Sequence, residues 1–288
     1  MKYKKRKKKK SSFTLLILLL LIMSFFIINK LHNNNKNKEK SETEIKLEKL
    51  NNINEKIDFF KMENLDRYIK YKEKSKNLTD EEIVVYVNIG LDNDFYTNQK
   101  DSPNKYQNTV LANKYYYLGE DYVPKDLTLI NEKYSSDKKY MTKDAANAFE
   151  KMAEEASKKG YTIRAVSTYR SYNYQTQLYN QYMKKDGKEN ADTYSARAGY
   201  SEHQTGLAVD VDNNKLSYTS FGKSKEFEWM QENAYKYGFI LRYTKEYEPI
   251  TGYINEPWHY RYVGTEIAKY IQNNPMTYEE YYVRFLDK

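Results

Sequence analysis

The chain has 288 residues and no cysteine, which excludes disulfides, thiolate metal sites, a cysteine nucleophile and a lipid-modified N-terminal cysteine. A formal charge of +8 would suit a polyanion binder, but seven lysines and Arg6 within residues 2–10 supply eight positive charges, equal to the whole net charge. The remainder is close to neutral and has no electrostatic reason to hold polyphosphate, so no nucleic-acid partner is expected.

Behind this basic tail, residues 11–29 form a run of nineteen without a charge, rich in Leu, Ile and Phe. As a helix the run would be about 28 Å long, close to the roughly 30 Å hydrocarbon thickness of a bilayer. Lysines on its N-terminal side belong in the cytoplasm, which puts everything after Lys30 outside the cell. A cleaved signal sequence has an apolar stretch of only about 7–15 residues and ends in a small-residue site. Here the run passes instead into Asn29-Lys30-Leu31-His32-Asn33. The pattern predicts a single-pass cell-membrane anchor with the rest of the chain extracellular.

Residues 30–43, dominated by Asn, Lys, Glu and Ser, read as a polar spacer. Over 44–76 apolar residues recur at helical spacing (Ile45, Leu47, Leu50, Ile53, Ile57, Phe60, then Leu65 and Ile69), as in an amphipathic helical stalk. Thr79-Asp80-Glu81-Glu82 is a helix-start signal, Val84 to Ile89 is a short β-branched run, and the polar stretch to about Gln107 reads as a connector. Residues 30–109 are thus spacer, stalk and connector, and the main domain is expected over 110–288. Within it, helices are predicted over 141–159 (closed by Gly160), 172–185, 226–237 and 265–272, and strands over 161–166, 207–211, 239–243 and 258–263. With no βαβ rhythm and no Gly-rich phosphate loop, the class is α+β rather than a doubly wound nucleotide binder.

The chemistry-bearing residues are few. Of three histidines, His32 lies in the spacer, so a two-histidine site in the main domain must use His203 and His259. Their surroundings read Ser201-Glu202-His203-Gln204-Thr205-Gly206-Leu207-Ala208-Val209-Asp210 and Glu256-Pro257-Trp258-His259-Tyr260. Hydrolytic zinc takes three His or carboxylate ligands and leaves a position for water. His203, His259 and Asp210 supply that set, with Asp212 as the rival carboxylate. Glu256, three residues before a ligand, is the natural base for the water's proton. An H-E-x-x-H helix is absent, so the site must be assembled from separate strands and loops. A Ser-His-Asp hydrolase using Ser201 and His203 on one strand face is the rival chemistry, but no serine sits in a G-x-S-x-G elbow.

These stretches resemble the S-x-H-x-x-G-x-A-x-D and E-P-W-H motifs of the D-alanyl-D-alanine carboxypeptidase family, which includes VanY-type D,D-carboxypeptidases and L,D-carboxypeptidases. Ser167-Thr168-Tyr169-Arg170-Ser171-Tyr172 resembles its S-x-Y-R-S segment, and the three motifs fall in the family's order across residues 110–288. The resemblance implies zinc (Zn2+) ligands His203, Asp210 and His259 and a catalytic base at Glu256. It further implies an oxyanion- or substrate-holding role for Arg170, and Ser201 and Gln175 lining the substrate site. The implied fold is a small antiparallel sheet flanked by helices. Ala198 stands where relatives commonly have proline, which loosens the loop before the first ligand without removing a chemical group. The expected activity is a zinc-dependent carboxypeptidase removing a C-terminal residue, D-Ala, from peptidoglycan stem peptides. The alternatives are an endopeptidase of the same wall peptides and a metal-holding wall-binding module that no longer cuts.

Overall fold

The computed structural model describes residues 11–51, 53 and 56–287; the basic tail of residues 1–10 lies outside them. The chain divides into two compact units, Met1–Asp80 and Glu81–Lys288.

In the first unit, α1 (Ser11–Lys49) is one continuous helix, followed by α2 (Leu65–Lys74). The spacer expected over 30–43 does not interrupt it. Residues 11–64 contain neither Gly nor Pro. Lys and Glu are good helix formers, and extending an existing helix is easier than ending it and nucleating another. Leu20, Leu21, Met23, Phe25, Phe26 and Ile28 are exposed along α1. Among the described residues no helix is long and apolar enough to cross a membrane; the side chains of residues 11–19, the first half of the expected anchor, lie outside the description. Leu50 and Tyr68 are fully buried, with the Phe60 ring 5.1 Å from that of Tyr68.

The second unit takes in most of the segment read as a connector. Its first helix, α3 (Asp80–Ile89), starts at the predicted cap and buries Ile83, Val84, Val85, Val87 and Ile89. Burial thus overrides the weak helix preference of a β-branched run. Two short pairs follow. β1 (Lys100–Asp101) runs parallel to β2 (Tyr116–Tyr117), and β3 (Leu127–Leu129) antiparallel to β4 (Tyr140–Thr142). Helix α4 (Lys143–Lys158) begins two residues after predicted, because Met141 belongs to β4.

The central sheet has four antiparallel strands in the order β5 (Arg164–Ser167), β6 (Ala208–Asp212), β8 (His259–Tyr262), β7 (Phe239–Leu241). The α+β expectation holds. One sheet face packs on α4: Ala145, Ala146, Phe149, Met152, Ala153 and Ala156 recur at helical spacing and bury against Ala165, Val209, Val211, Phe239 and Tyr260. Since strand side chains alternate, Asp210 lies on the opposite face from Val209 and Val211, and His259 and Arg261 on the opposite face from Tyr260. Flanking elements are α5 (Tyr172–Asp186), α6 (Lys188–Tyr194), α7 (Lys225–Asn233), α8 (Glu248–Thr251), α9 (Thr265–Asn273) and α10 (Tyr278–Tyr281). The sequence reading missed α6, α8 and α10, which are too short to show a period.

Phe149 is fully buried with its ring 6.2 Å from Phe239. Phe149→Ala should lower the unfolding free energy by about 3–5 kcal/mol in urea titrations, as large-to-small changes in a packed core do. A loss under about 1 kcal/mol would contradict the core placement.

Candidate active site

His203 is carried by a single 3-10 turn, Glu202–Thr205, which Ser201 caps by accepting the His203 backbone N–H on its Oγ at 3.3 Å. Gly206 ends the turn at φ 69°, in the left-handed region that glycine enters freely, and the chain then runs into β6. A Cβ there would stand 3.1–3.3 Å from Leu127, Pro124 and Thr142. The strand that a Ser201–His203 nucleophile pair would need is therefore a turn. The imidazole is fixed from both sides, with Nδ1 2.7 Å from the Thr168 carbonyl oxygen and Nε2 3.1 Å from Arg170 Nη2. A guanidinium can only donate. Nε2 must then carry the lone pair, and Nδ1 gives its proton to Thr168.

Asp210 and His259 are direct partners across β6 and β8, so their side chains share one face of the sheet. Asp210 Oδ1 lies 3.0 Å from His259 Nδ1; its Oδ2 lies 3.3 Å from His203 Nε2 and accepts from Arg170 Nη2 at 2.8 Å. Behind His259, Nε2 lies 3.2 Å from Glu202 Oε2. The Tyr243 ring lies over the imidazole, with centroids 4.8 Å apart and planes 31° apart. Glu256 is held just before β8: its N–H donates to the Tyr243 carbonyl at 3.0 Å, and its own carbonyl accepts the His259 N–H at 3.1 Å. Its carboxylate Oε2 stands 3.9 Å from His259 Nδ1.

Ligand atoms of His203, Asp210 and His259 all lie within 4.8 Å of one another, and all three residues are buried. Two ring nitrogens, one carboxylate and a hydrogen-bond partner behind each imidazole form a donor set that fits zinc. Asp212, the rival carboxylate, is instead bound by Arg164 through two 3.0 Å contacts. Burial and Arg170 push the His203 imidazole down to about 4. Burial would also lower His259, but hydrogen bonds to Asp210 and Glu202 lift it to about 9. Burial would raise Asp210, yet His203, His259 and Arg170 outweigh it and hold the carboxyl well below its usual range. Burial pushes Glu256 up to about 8.

The cluster forms the floor of a cleft of about 280 Å³, with Tyr182, Tyr194, Tyr218, Ile254 and Trp258 among its walls. Arg170 and Ser201 are among the residues that line it. Trp258 lines the cleft and packs on the core, its ring 5.3 Å from that of Tyr218. Gln175 does not reach the cleft surface. It is fully buried; its Oε1 accepts from Arg170 Nη1 at 3.2 Å and its Nε2 donates to the Ala196 carbonyl at 2.7 Å. The substrate contact expected of it is therefore corrected to a brace behind Arg170. Loop tightness around Ala198 comes from neighbours: the Gly199 carbonyl accepts the Leu118 N–H at 2.8 Å, and a Cβ at Gly199 would collide with the Tyr117 ring. The sequence reading missed Glu202, although it sits inside the histidine motif, and Arg242, a charge inside an apolar strand pattern and so a sign of a buried partner.

A family model described as D-alanyl-D-alanine carboxypeptidase matches residues 138–265. The chain is 44% identical over 180 residues to the protein YodJ of Bacillus subtilis (strain 168), an alignment covering 60% of this chain and 66% of that one. Among solved structures it resembles the LdcB LD-carboxypeptidase, with 40% identity, a TM-score of 0.61, and coverage of 67% of this chain and 94% of that chain. It also resembles a mutant of the vancomycin-resistance D,D-pentapeptidase VanY in complex with Zn(II), with 30% identity, a TM-score of 0.52, and coverage of 60% and 98%.

At pH 7 the metal-free site holds a proton on His259, at about 9, and on Glu256, at about 8. Ligation needs a bare His259 Nδ1. Zinc uptake at pH 7 should therefore release between about one and two protons, and affinity should rise as the pH climbs through these values. Calorimetric titration in buffers of different ionisation enthalpy measures the release. Uptake without proton release would contradict the Asp210–His259–Glu202 pairing.

Proposed function

This chain belongs to the D-alanyl-D-alanine carboxypeptidase family, and we propose that it is a zinc-dependent carboxypeptidase that removes the C-terminal D-Ala from peptidoglycan stem peptides. The observation that carries this reading is the convergence of His203, Asp210 and His259 with Glu256 on the floor of one open cleft. His203 through Nε2, His259 through Nδ1 and Asp210 through its carboxylate would hold the metal. Bound zinc supplies Lewis acidity, polarising the scissile carbonyl and making a water acidic near neutral pH.

Glu256 does the proton transfer. Burial alone would keep it protonated at neutral pH, but a divalent charge held beside it favours the carboxylate. It takes the attacking water's proton and passes it to the leaving amine. Arg170 is fixed by Ser167 Oγ at 3.0 Å and by Gln175 and Asp210. With His203 Nε2 given over to the metal, the Nη2 hydrogen that it accepts here is free to stabilise the negative charge that develops on the carbonyl oxygen. Ser201 offers a hydroxyl at the cleft wall.

The charge-free run over residues 11–29 behind eight positive charges supports a membrane anchor with this unit outside the cell. Retention of the chain in the membrane fraction after alkaline carbonate washing, with the second unit open to added protease in intact cells, tests that placement. Release by the wash would remove the anchor.

Incubation with defined stem tetra- and pentapeptides, followed by mass spectrometry, should show loss of a single alanine, and none after chelation. A product shortened within the stem would mean endopeptidase action. Glu256→Gln should keep zinc yet lose about 10²-fold or more in kcat, the scale of general acid–base catalysis; unchanged turnover would remove the base assignment. Arg170→Ala should cost about 10²–10³ in kcat, as loss of an oxyanion donor does.

A further inference from the structure

Beneath His259, running from Glu202 at the cleft floor to residues that do not line the cleft, lies a layer of charge buried to an unusual degree. Glu202, Arg242 and Glu279 are 2–3% exposed and Arg261 is 0% exposed. Their contacts form a chain of support rather than a loose cluster. Glu202 divides its oxygens: Oε2 faces His259 Nε2 at 3.2 Å, while Oε1 accepts from Arg242 Nε at 2.8 Å and Arg261 Nη1 at 3.3 Å. Arg242 is gripped from its other edge by both oxygens of Glu279 in α10, at 2.9 and 2.6 Å. Glu279 also accepts from Asn113 Nδ2 at 3.2 Å, and Arg261 Nη2 donates to the carbonyls of Asn108 and Val110 at 3.0 and 2.7 Å.

Each member leaves its neighbour one orientation. With Glu279 on the Nη1/Nη2 edge of Arg242, the guanidinium is turned so that Nε meets Glu202. With two guanidiniums on Oε1, only Oε2 is left for His259. An imidazole whose far nitrogen donates to a fixed carboxylate is held in one tautomer and one ring orientation and becomes a more basic ligand.

We propose that Glu202 is the positioning carboxylate of the zinc site, and that Arg242 and Glu279 hold it in place, making helix α10 a working part of that site. The inference rests on the zinc reading above. The set is distinct from Glu256 and Arg170, since none of Arg242, Arg261 and Glu279 lines the cleft.

The test is the zinc dissociation constant of the full chain, by competition with a chromogenic chelator, read beside thermal melting of the metal-free protein. Glu202→Gln should weaken zinc binding by about 10–100-fold, the usual range for loss of such a partner. Glu279→Gln should weaken it by at least about fivefold, and the double variant no more than Glu202→Gln alone, because the two act in series. Glu226→Gln is the control: that carboxylate is also buried, and it accepts from Asn213. It should lower the melting temperature and leave zinc affinity unchanged. Should Glu279→Gln not fold, Arg242→Lys keeps the buried charge, removes the fork and reads the same link. A wild-type chain that binds zinc and cuts, beside a Glu279→Gln (or Arg242→Lys) chain within about twofold in affinity, overturns this inference alone. A wild-type chain that binds no zinc overturns the carboxypeptidase reading and this inference together.

Discussion

The site depends on one register position. Asp210 stands opposite His259 across β6 and β8, and strand alternation then sends Val209, Val211 and Tyr260 to the other face, onto α4. A slip of one residue would exchange the faces, driving a carboxylate and an imidazole into the core and valines into the cleft. The apolar side forbids that slip. Burial of Phe149, Met152 and their partners therefore sets the geometry of the metal ligands, although none of these residues touches them. His203, the ligand outside the sheet, needs its own devices: the Ser201 cap, the left-handed Gly206 and the Thr168 carbonyl.

Polar groups on the other face serve orientation rather than stability. Taking Glu202, Arg242, Arg261 and Glu279 out of water costs several kcal/mol for each ion, and their mutual attraction does no more than roughly offset it. What the arrangement gives in return is definition, since the fork geometry of two guanidiniums leaves few alternative poses for the carboxylate between them. Tyr243 adds to this by lying over His259 while Arg242 sits 4.9 Å from the Tyr243 ring.

The triad was legible because scarcity made it so: with one histidine in the spacer, only two were left, and motif spacing pointed to Asp210 over Asp212. The α+β class and the longer helices and strands of the main domain followed from periodicity, with boundaries shifted by a few residues. Gln175 was not legible, because α5 carries tyrosines on several sides and its pattern does not tell inside from outside. Glu202 was missed for a different reason. A carboxylate is read as solvated unless its partners are known, and Arg242 lies forty positions further along the chain. The continuous α1 was missed because polar composition was taken as a break, whereas a helix ends at Gly, Pro or a cap, and residues 30–43 offer no Gly or Pro.

The contact of Asn113 with Glu279 joins positions 166 residues apart, and it bears on the order in which the molecule assembles. Turns such as 202–205 and the pairing of β6 with β8 close shorter loops and can form earlier, while the clasp between residues 113 and 279 closes a much longer one and meets the larger entropy. With no cysteine anywhere, no covalent link can shorten that search. The site's three ligands are thus joined by shorter loops than the one that locks their support. An ion bound at the site would, through Glu202, also help to hold shut a clasp that the chain alone closes at high entropic cost.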